Sequence, residues 1–167
     1  MVKPANYWIE NLGLQPHIEG GYFKEIYRAE EEISHQNLPD RYHKDGRSFA
    51  TCIYFMIVSG KPSRLHRLKS DEVWHFYAGS PMTLYIIHPQ GELETRTLGP
   101  EPAKGHLFQT IVPYHCWFGG VVNEKESYSL VGCYSAPGFE YEDLEIAQRE
   151  DLKEHYPQHA DIIDKLT

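Results

Sequence analysis

From Ala50 to Ser135 the chain is cut again and again by glycine and proline, and the pieces between the cuts are of strand length. Ala50–Val58 (ATCIYFMIV) is continuously apolar, which predicts a strand covered on both faces. Met82–His88 and Glu92–Leu98 flank Pro89-Gln90-Gly91, a turn that joins them as a hairpin. His106–Val112, Cys116–Val122 and Tyr128–Ser135 supply three more strands. Helical patterning is confined to the ends: Pro4–Leu12, an acidic amphipathic stretch from Glu140 to Glu154, and a last short helix from Pro157 to near Leu166. Strands in series with helices outside them define an all-β sandwich or barrel, and glycine-flanked corners favour a jelly roll whose alternate residues line a cavity. One domain is expected over residues 1–167, with a barrel core at roughly 20–136 and C-terminal helices at 140–166.

The stretch with most chemistry is Gly60–Gly79, GKPSRLHRLKSDEVWHFYAG. It reads as a β-hairpin that sets His66 and Glu72 on facing parts, followed by Trp74, His75, Phe76 and Tyr77. An imidazole, a carboxylate and aromatics close together are the ingredients of a small-molecule pocket. A His66–Glu72 hydrogen bond would favour the imidazolium and raise its pKa, tuning the pair for acid–base work near neutral pH; a buried pair that only satisfies itself is the plainer alternative. Tyr54 is the candidate acid partner, beside Tyr22, Tyr27 and Tyr85. Upstream, Tyr22–Arg28 alternates as a strand, so Glu25 and Arg28 fall on opposite faces unless the strand bulges; inside the barrel they would clamp a ligand. His17 and Glu19, just before Gly20-Gly21, are candidates to roof the pocket. Trp74, Tyr85, Gln109 and Trp117 are candidate ligand contacts, and His75 joins them if a bulge turns it inward. Glu30–Arg47 is expected to be a surface loop, and His35, His43, His115, His155 and His159 surface residues.

A formal net charge of −8 without a basic stripe argues against nucleic acid and against an anionic membrane as partners. Cys52, Cys116 and Cys133 are widely spaced in apolar surroundings, which suits buried free thiols in a reducing compartment. With no apolar signal segment at the N-terminus, a cytoplasmic location is expected.

Gly60, His66, Glu72 and Gly79 stand at the positions of the first cupin signature, in which a glycine precedes His-x-His, a glutamate and a second glycine. Gly105-HLFQTIV-Pro113-Tyr-His115 resembles the second signature. EGGYFKEIYR, SRLHRLKSDEVWHFYAG and LVGCYSAPGFEYED extend the likeness from about Leu12 to Pro157, and over that span the chain resembles the cupin family known as domain of unknown function 985 (cupin-5). The resemblance implies a double-stranded β-helix, a pocket at the barrel mouth and a homodimer. It brings no firm activity. Leu68 stands where the second metal-binding histidine of a cupin would be, and Phe118 where the third would be. His66 and Glu72 therefore supply only two ligands, fewer than non-haem iron needs, and no cofactor is expected. Three functions stay open: metal-independent sugar or keto-acid isomerase or epimerase chemistry, a metal-dependent cupin enzyme with a rearranged site, and non-catalytic ligand binding.

Overall fold

The structure, a computed structural model, describes residues 3–42 and 44–167. After α1 (Ala5–Leu12) come β1 (Gln15–Pro16), β2 (Tyr22–Arg28), β3 (Glu32–Ile33), β4 (Arg47–Ser48), β5 (Thr51–Val58), β6 (Ser63–Arg67) and β7 (Asp71–Gly79). Then follow β8 (Met82–Ile87), β9 (Leu93–Leu98), β10 (Gln109–Val112), β11 (Trp117–Val122), β12 (Tyr128–Ala136) and β13 (Glu145–Ile146). Two helices, α2 (Arg149–His155) and α3 (Ala160–Leu166), close the chain. A six-stranded sheet runs β1-β2-β5-β12-β7-β10, a five-stranded sheet runs β13-β6-β11-β8-β9, and β3 pairs with β4. All named pairings are antiparallel, and the strands switch sheets in the manner of a jelly roll.

The interior follows from period-2 alternation. Phe55 and Ile57 on β5, Trp74 on β7, Leu84 and Ile86 on β8, Phe118 on β11 and Val131 on β12 all point between the sheets and are buried. A second cluster lies outside the five-stranded sheet, where α2 and α3 lay Leu152, Ile163 and Leu166 on Leu65, Ile87 and Trp117. At the other side α1 covers Met56, Tyr128 and Leu130, and Trp8 donates to the Tyr128 hydroxyl at 2.6 Å.

Three expectations need correction. Gly60–Gly79 is not a hairpin: β6 and β7 belong to different sheets, so His66 and Glu72 reach the interior from opposite walls. The 140–154 helix begins only at Arg149, because Asp143 is held by Arg47, Leu144 packs into the main core, and Ile146 pairs with His66 as part of β13. The 30–47 segment is not a plain surface loop: Tyr42 and Arg47 are almost wholly buried, and β3–β4 closes it. His35, His115 and His155 are exposed, and His159 is half-buried with Nε2 2.8 Å from the Gly91 carbonyl, while His43 lies outside the described residues. The cysteines are free, with Cys116 and Cys133 buried and Cys52 half-buried. Among the described residues no helix is long and apolar enough to cross a membrane.

Candidate functional site

Gly20 and Gly21 position the site's first carboxyl. Their φ values of 105° and 71° lie in the region that side chains disfavour, and a Cβ on either would stand 2.6 Å from a carbonyl oxygen, of Pro62 or Met56. Without side chains there, the preceding turn lies flat on β6, and the Arg64 amide donates to the Glu19 carbonyl at 2.8 Å. Glu19 thereby enters the barrel mouth.

His66 comes from β6 beneath it. Its Nδ1–H donates to the Arg64 carbonyl at 2.7 Å, which leaves Nε2 as an acceptor. Nε2 lies 3.1 Å from Glu19 Oε2, and the ring packs on Phe118 at 4.1 Å. Burial pushes the His66 pKa down to about 4. Burial, and then the neighbouring Glu72 charge, push the Glu19 pKa well above the usual carboxylate range. Both shifts favour the uncharged forms, a neutral imidazole facing the Glu19 carboxyl. Two expectations are overturned here. The carboxyl beside His66 is Glu19 rather than Glu72, and desolvation outweighs pairing, so the imidazole is made less basic rather than more.

Glu72 arrives from β7, opposite Ser135 on β12 and Val112 on β10. Trp74, two residues on and so on the same face, donates its indole N–H to Glu72 Oε2 at 2.7 Å. Burial raises the Glu72 pKa to about 7, and the indole hydrogen bond opposes the rise. Among the described residues no group donates a hydrogen bond to the other oxygen, Oε1. Trp74→Phe removes the opposing interaction, so the Glu72 midpoint should move up from about 7; carboxyl NMR would check it, and an unchanged midpoint would deny the indole its role.

The cavity between these groups holds about 70 Å³. Glu19, Glu72, Thr51 and Ser135 give it polar walls; Phe23, Ile53, Leu68, Cys133, Phe139 and Tyr141 give it apolar ones. His17 joins the rim, its ring 4.6 Å from Phe23 and 6.0 Å from Tyr141, and burial lowers its pKa to about 4. A bulge at Ile26 shifts the β2 register, pairing Glu25 with Ile53 and Arg28 with Thr51. Both side chains therefore line the cavity, which plain alternation forbids. Arg28 donates to both Glu25 oxygens at 3.1 and 2.9 Å, to Glu140 and to the Phe139 carbonyl. Those carboxylates hold its guanidinium above its usual pKa.

Five of the expected site residues lie elsewhere. Tyr54 alternates with the inward Ile53 and Phe55, so it stands on the outer face of the six-stranded sheet against Tyr77. His75 lies on that same outer face, opposite Gly132 and Gln109, and no bulge turns it inward; Gln109 is exposed. Trp117 and Tyr85 pack under α2 and α3, with the Arg67 guanidinium 4.5 Å over the Trp117 ring and Lys165 Nζ 3.2 Å from the Tyr85 hydroxyl. Of the other tyrosines, Tyr22 packs against the α1 cluster and Tyr27 is exposed. Glu72, Glu25 and Arg28 do meet at the cavity, with Trp74 behind Glu72, and His66 reaches it only through Glu19. Glu140 and Tyr141 were missed: their signal, the Pro-Gly-Phe-Glu-Tyr run after β12, reads locally as a turn.

A cupin metal fits these side chains poorly. Leu68 and Phe118 carry no donor atoms, and among the described residues no group of three or more His, Cys, Asp and Glu side chains is set to hold a metal ion.

Two antiparallel sheets in jelly-roll order, with Glu72 on the cavity wall and His66 buried behind Glu19, define a cupin barrel. The chain belongs to the Cupin superfamily (DUF985), whose family model matches residues 6–147. A crystal structure of a Shewanella oneidensis protein is similar at 38% identity, covering 99% of this chain and 98% of that one, with a TM-score of 0.88. A hypothetical protein from Leishmania major is similar at 35% identity, with 99% of each chain covered and a TM-score of 0.89. An uncharacterized protein of Saccharomyces cerevisiae shares 23% identity over 88% of this chain and 77% of its own. Oxalate decarboxylase from Bacillus subtilis has the same fold at 13% identity, over 91% of this chain and 36% of that one, with a TM-score of 0.55.

Proposed function

We propose that the chain binds a small organic molecule in the barrel mouth and moves a proton on it, with Glu72 as the acid and base. The observation that carries this is the state of Glu72: a carboxyl nine-tenths buried, one oxygen fixed by Trp74, the other without a donor among the described residues, and a pKa of about 7. A base poised at the working pH combines a usable ionised fraction with real proton affinity. Glu19 supplies the complement, a carboxyl whose protonated form burial and the Glu72 charge favour, beside His66. His66 does not line the cavity, so it acts as a positioning residue that holds the Glu19 carboxyl through Oε2.

The chemistry that suits two such carboxyls is isomerisation next to a carbonyl. Glu72 takes the proton from the carbon beside the carbonyl, the C–H electron pair forms a C=C bond, and the carbonyl oxygen takes the Glu19 proton. Glu72 then returns its proton to one carbon of the enediol while the ionised Glu19 takes back the hydroxyl proton of the other carbon, which restores a carbonyl and both carboxyls. Protonation of the former carbonyl carbon gives the isomer, and protonation of the original carbon on its opposite face gives the epimer. The cavity limits the ligand to roughly five non-hydrogen atoms, taking about 10–15 Å³ for each water-sized position. A keto acid suits this lining less well than a carbonyl compound without a carboxylate, because Arg28 is already engaged by Glu25 and Glu140.

Solvent deuterium incorporation into a panel of three-carbon hydroxyaldehydes and hydroxyketones, such as lactaldehyde and hydroxyacetone, tests the reading. Incorporation should occur in at least one compound, rise with pH to a plateau above about 7, and fall by roughly 10²–10⁴ in Glu72→Gln. A compound that raises the melting temperature yet never exchanges would replace catalysis with plain binding.

A further inference from the structure

The walls around Glu72 say more about the ligand's charge than its reaction does. Phe23, Phe139, Tyr141 and the uncharged ring of His17 stand around the cavity, with Phe139 and Tyr141 edge-to-face at 5.2 Å. Glu72 lies at the bottom with a free oxygen, and Glu25 and Glu140 stand at the rim. Among the described lining residues the one cationic side chain is Arg28, and two carboxylates neutralise it. Aromatic rings gathered around a desolvated carboxylate are the chemistry that binds organic cations: the ring quadrupoles attract positive charge, and methyl-bearing ammonium groups lose little hydration on entry.

We infer that the cavity takes a small organic cation, an ammonium compound whose charged head sits between the aromatic walls and Glu72. This rests on the reading of the cavity as a ligand site and is independent of proton transfer. An anion would meet carboxylates with no free guanidinium, and a neutral polyol would leave the aromatic faces unused.

Binding of a cation holds Glu72 ionised, so affinity should depend on pH. The charged and titratable groups around it are Glu19 and His17 from the turn before β2, His66 from β6, Glu25 and Arg28 from β2, Cys133 from β12, and Glu140 and Tyr141 beyond it. His17 and His66 titrate at about 4, and burial drives Cys133 and Tyr141 upward, away from neutrality. Glu72, whose charge in turn raises the Glu19 pKa, is left as the group with a midpoint near pH 7.

The test is titration calorimetry with tetramethylammonium, against tert-butyl alcohol as a neutral probe of similar shape and acetate as an anion. Tetramethylammonium should bind at least tenfold tighter than the alcohol at pH 8, and its affinity should fall about tenfold per pH unit below 7. Glu72→Gln should erase the preference and the pH slope; Tyr141→Leu, at an exposed position where folding is not at stake, should weaken the cation alone. Equal affinity for cation and alcohol, or tighter acetate, overturns the inference. Deuterium exchange into a neutral compound without cation binding would sink this inference and leave the proton-transfer reading standing. Cation binding without exchange in any compound would do the reverse.

Discussion

Arg47→Met will cost the fold roughly 3–5 kcal/mol, the usual loss when one partner of a buried ion pair is removed. Arg47 is 1% exposed. It donates to both Asp143 oxygens at 2.7 and 2.8 Å, to Glu142, and to the Asp45 and Gly46 carbonyls at 3.0 and 2.9 Å. Methionine fills similar space and makes none of these bonds. Asp143, itself buried, keeps only Lys69, at 3.3 Å, among the described residues. The melting temperature should fall by about 10 °C or more for a chain of this length. The effect reaches the cavity, because the 139–141 segment that Arg47 ties down carries Phe139 and Tyr141 of its wall. Adding Asp143→Leu should restore most of the stability, since it removes the stranded charge. A loss under about 1 kcal/mol in the single variant would mean that the network is not holding that segment.

Glu72→Gln should stabilise the protein while it stops proton transfer. The folded pKa of about 7 lies above the unsupported value of 4.5, so the folded state keeps its proton where the unfolded chain has lost it. The buried neutral carboxyl therefore costs nothing below about pH 4.5; its stability contribution drains away as pH rises and is gone above 7. A gap of that size corresponds to ~3 kcal/mol at most. Glutamine never ionises, and its carbonyl can still accept from Trp74. The difference in unfolding free energy between variant and parent should thus be near zero at pH 4.5 and grow in favour of the variant up to about pH 7. His17 and His66, both lowered to about 4, destabilise the two proteins alike as pH falls from 6.5, so they drop out of the difference. Denaturant unfolding at pH 5 and pH 8 measures it. A variant less stable than the parent at pH 8 would mean that Glu72 is held ionised by a partner.

The strands were legible because alternation and Gly/Pro punctuation are local. Ala50–Val58, Met82–His88, Glu92–Leu98 and Tyr128–Ser135 match β5, β8, β9 and β12 to within a residue or two. What sequence could not carry was which strands share a sheet. Gly60–Gly79 has the look of a hairpin, yet the chain crosses between sheets at Leu68–Ser70, a tertiary choice made by burying Leu65 under α3 and Trp74 under Phe55. The partner of His66 was hidden for a related reason. Glu19 lies 47 positions upstream in a turn of no obvious pattern, and only the close approach at Gly20 brings it to β6. Phe118 and Leu68 were legible as donors lost from a cupin pattern, whereas the aromatic roof depends on Arg47 capturing Asp143 across 96 residues. The site was thus readable in its carboxylate and imidazole and unreadable in their partners.

The account stands or falls on the ionisation of one side chain. With glutamate labelled at the side-chain carboxyl carbon, and Glu72→Gln used to assign the resonance, the pH titration of Glu72 should show a midpoint near 7. A midpoint at or below 4.5, the value of an unburdened carboxyl, would contradict it: Glu72 would then be a permanently charged group, and neither proton transfer nor pH-dependent cation binding would belong to this cavity.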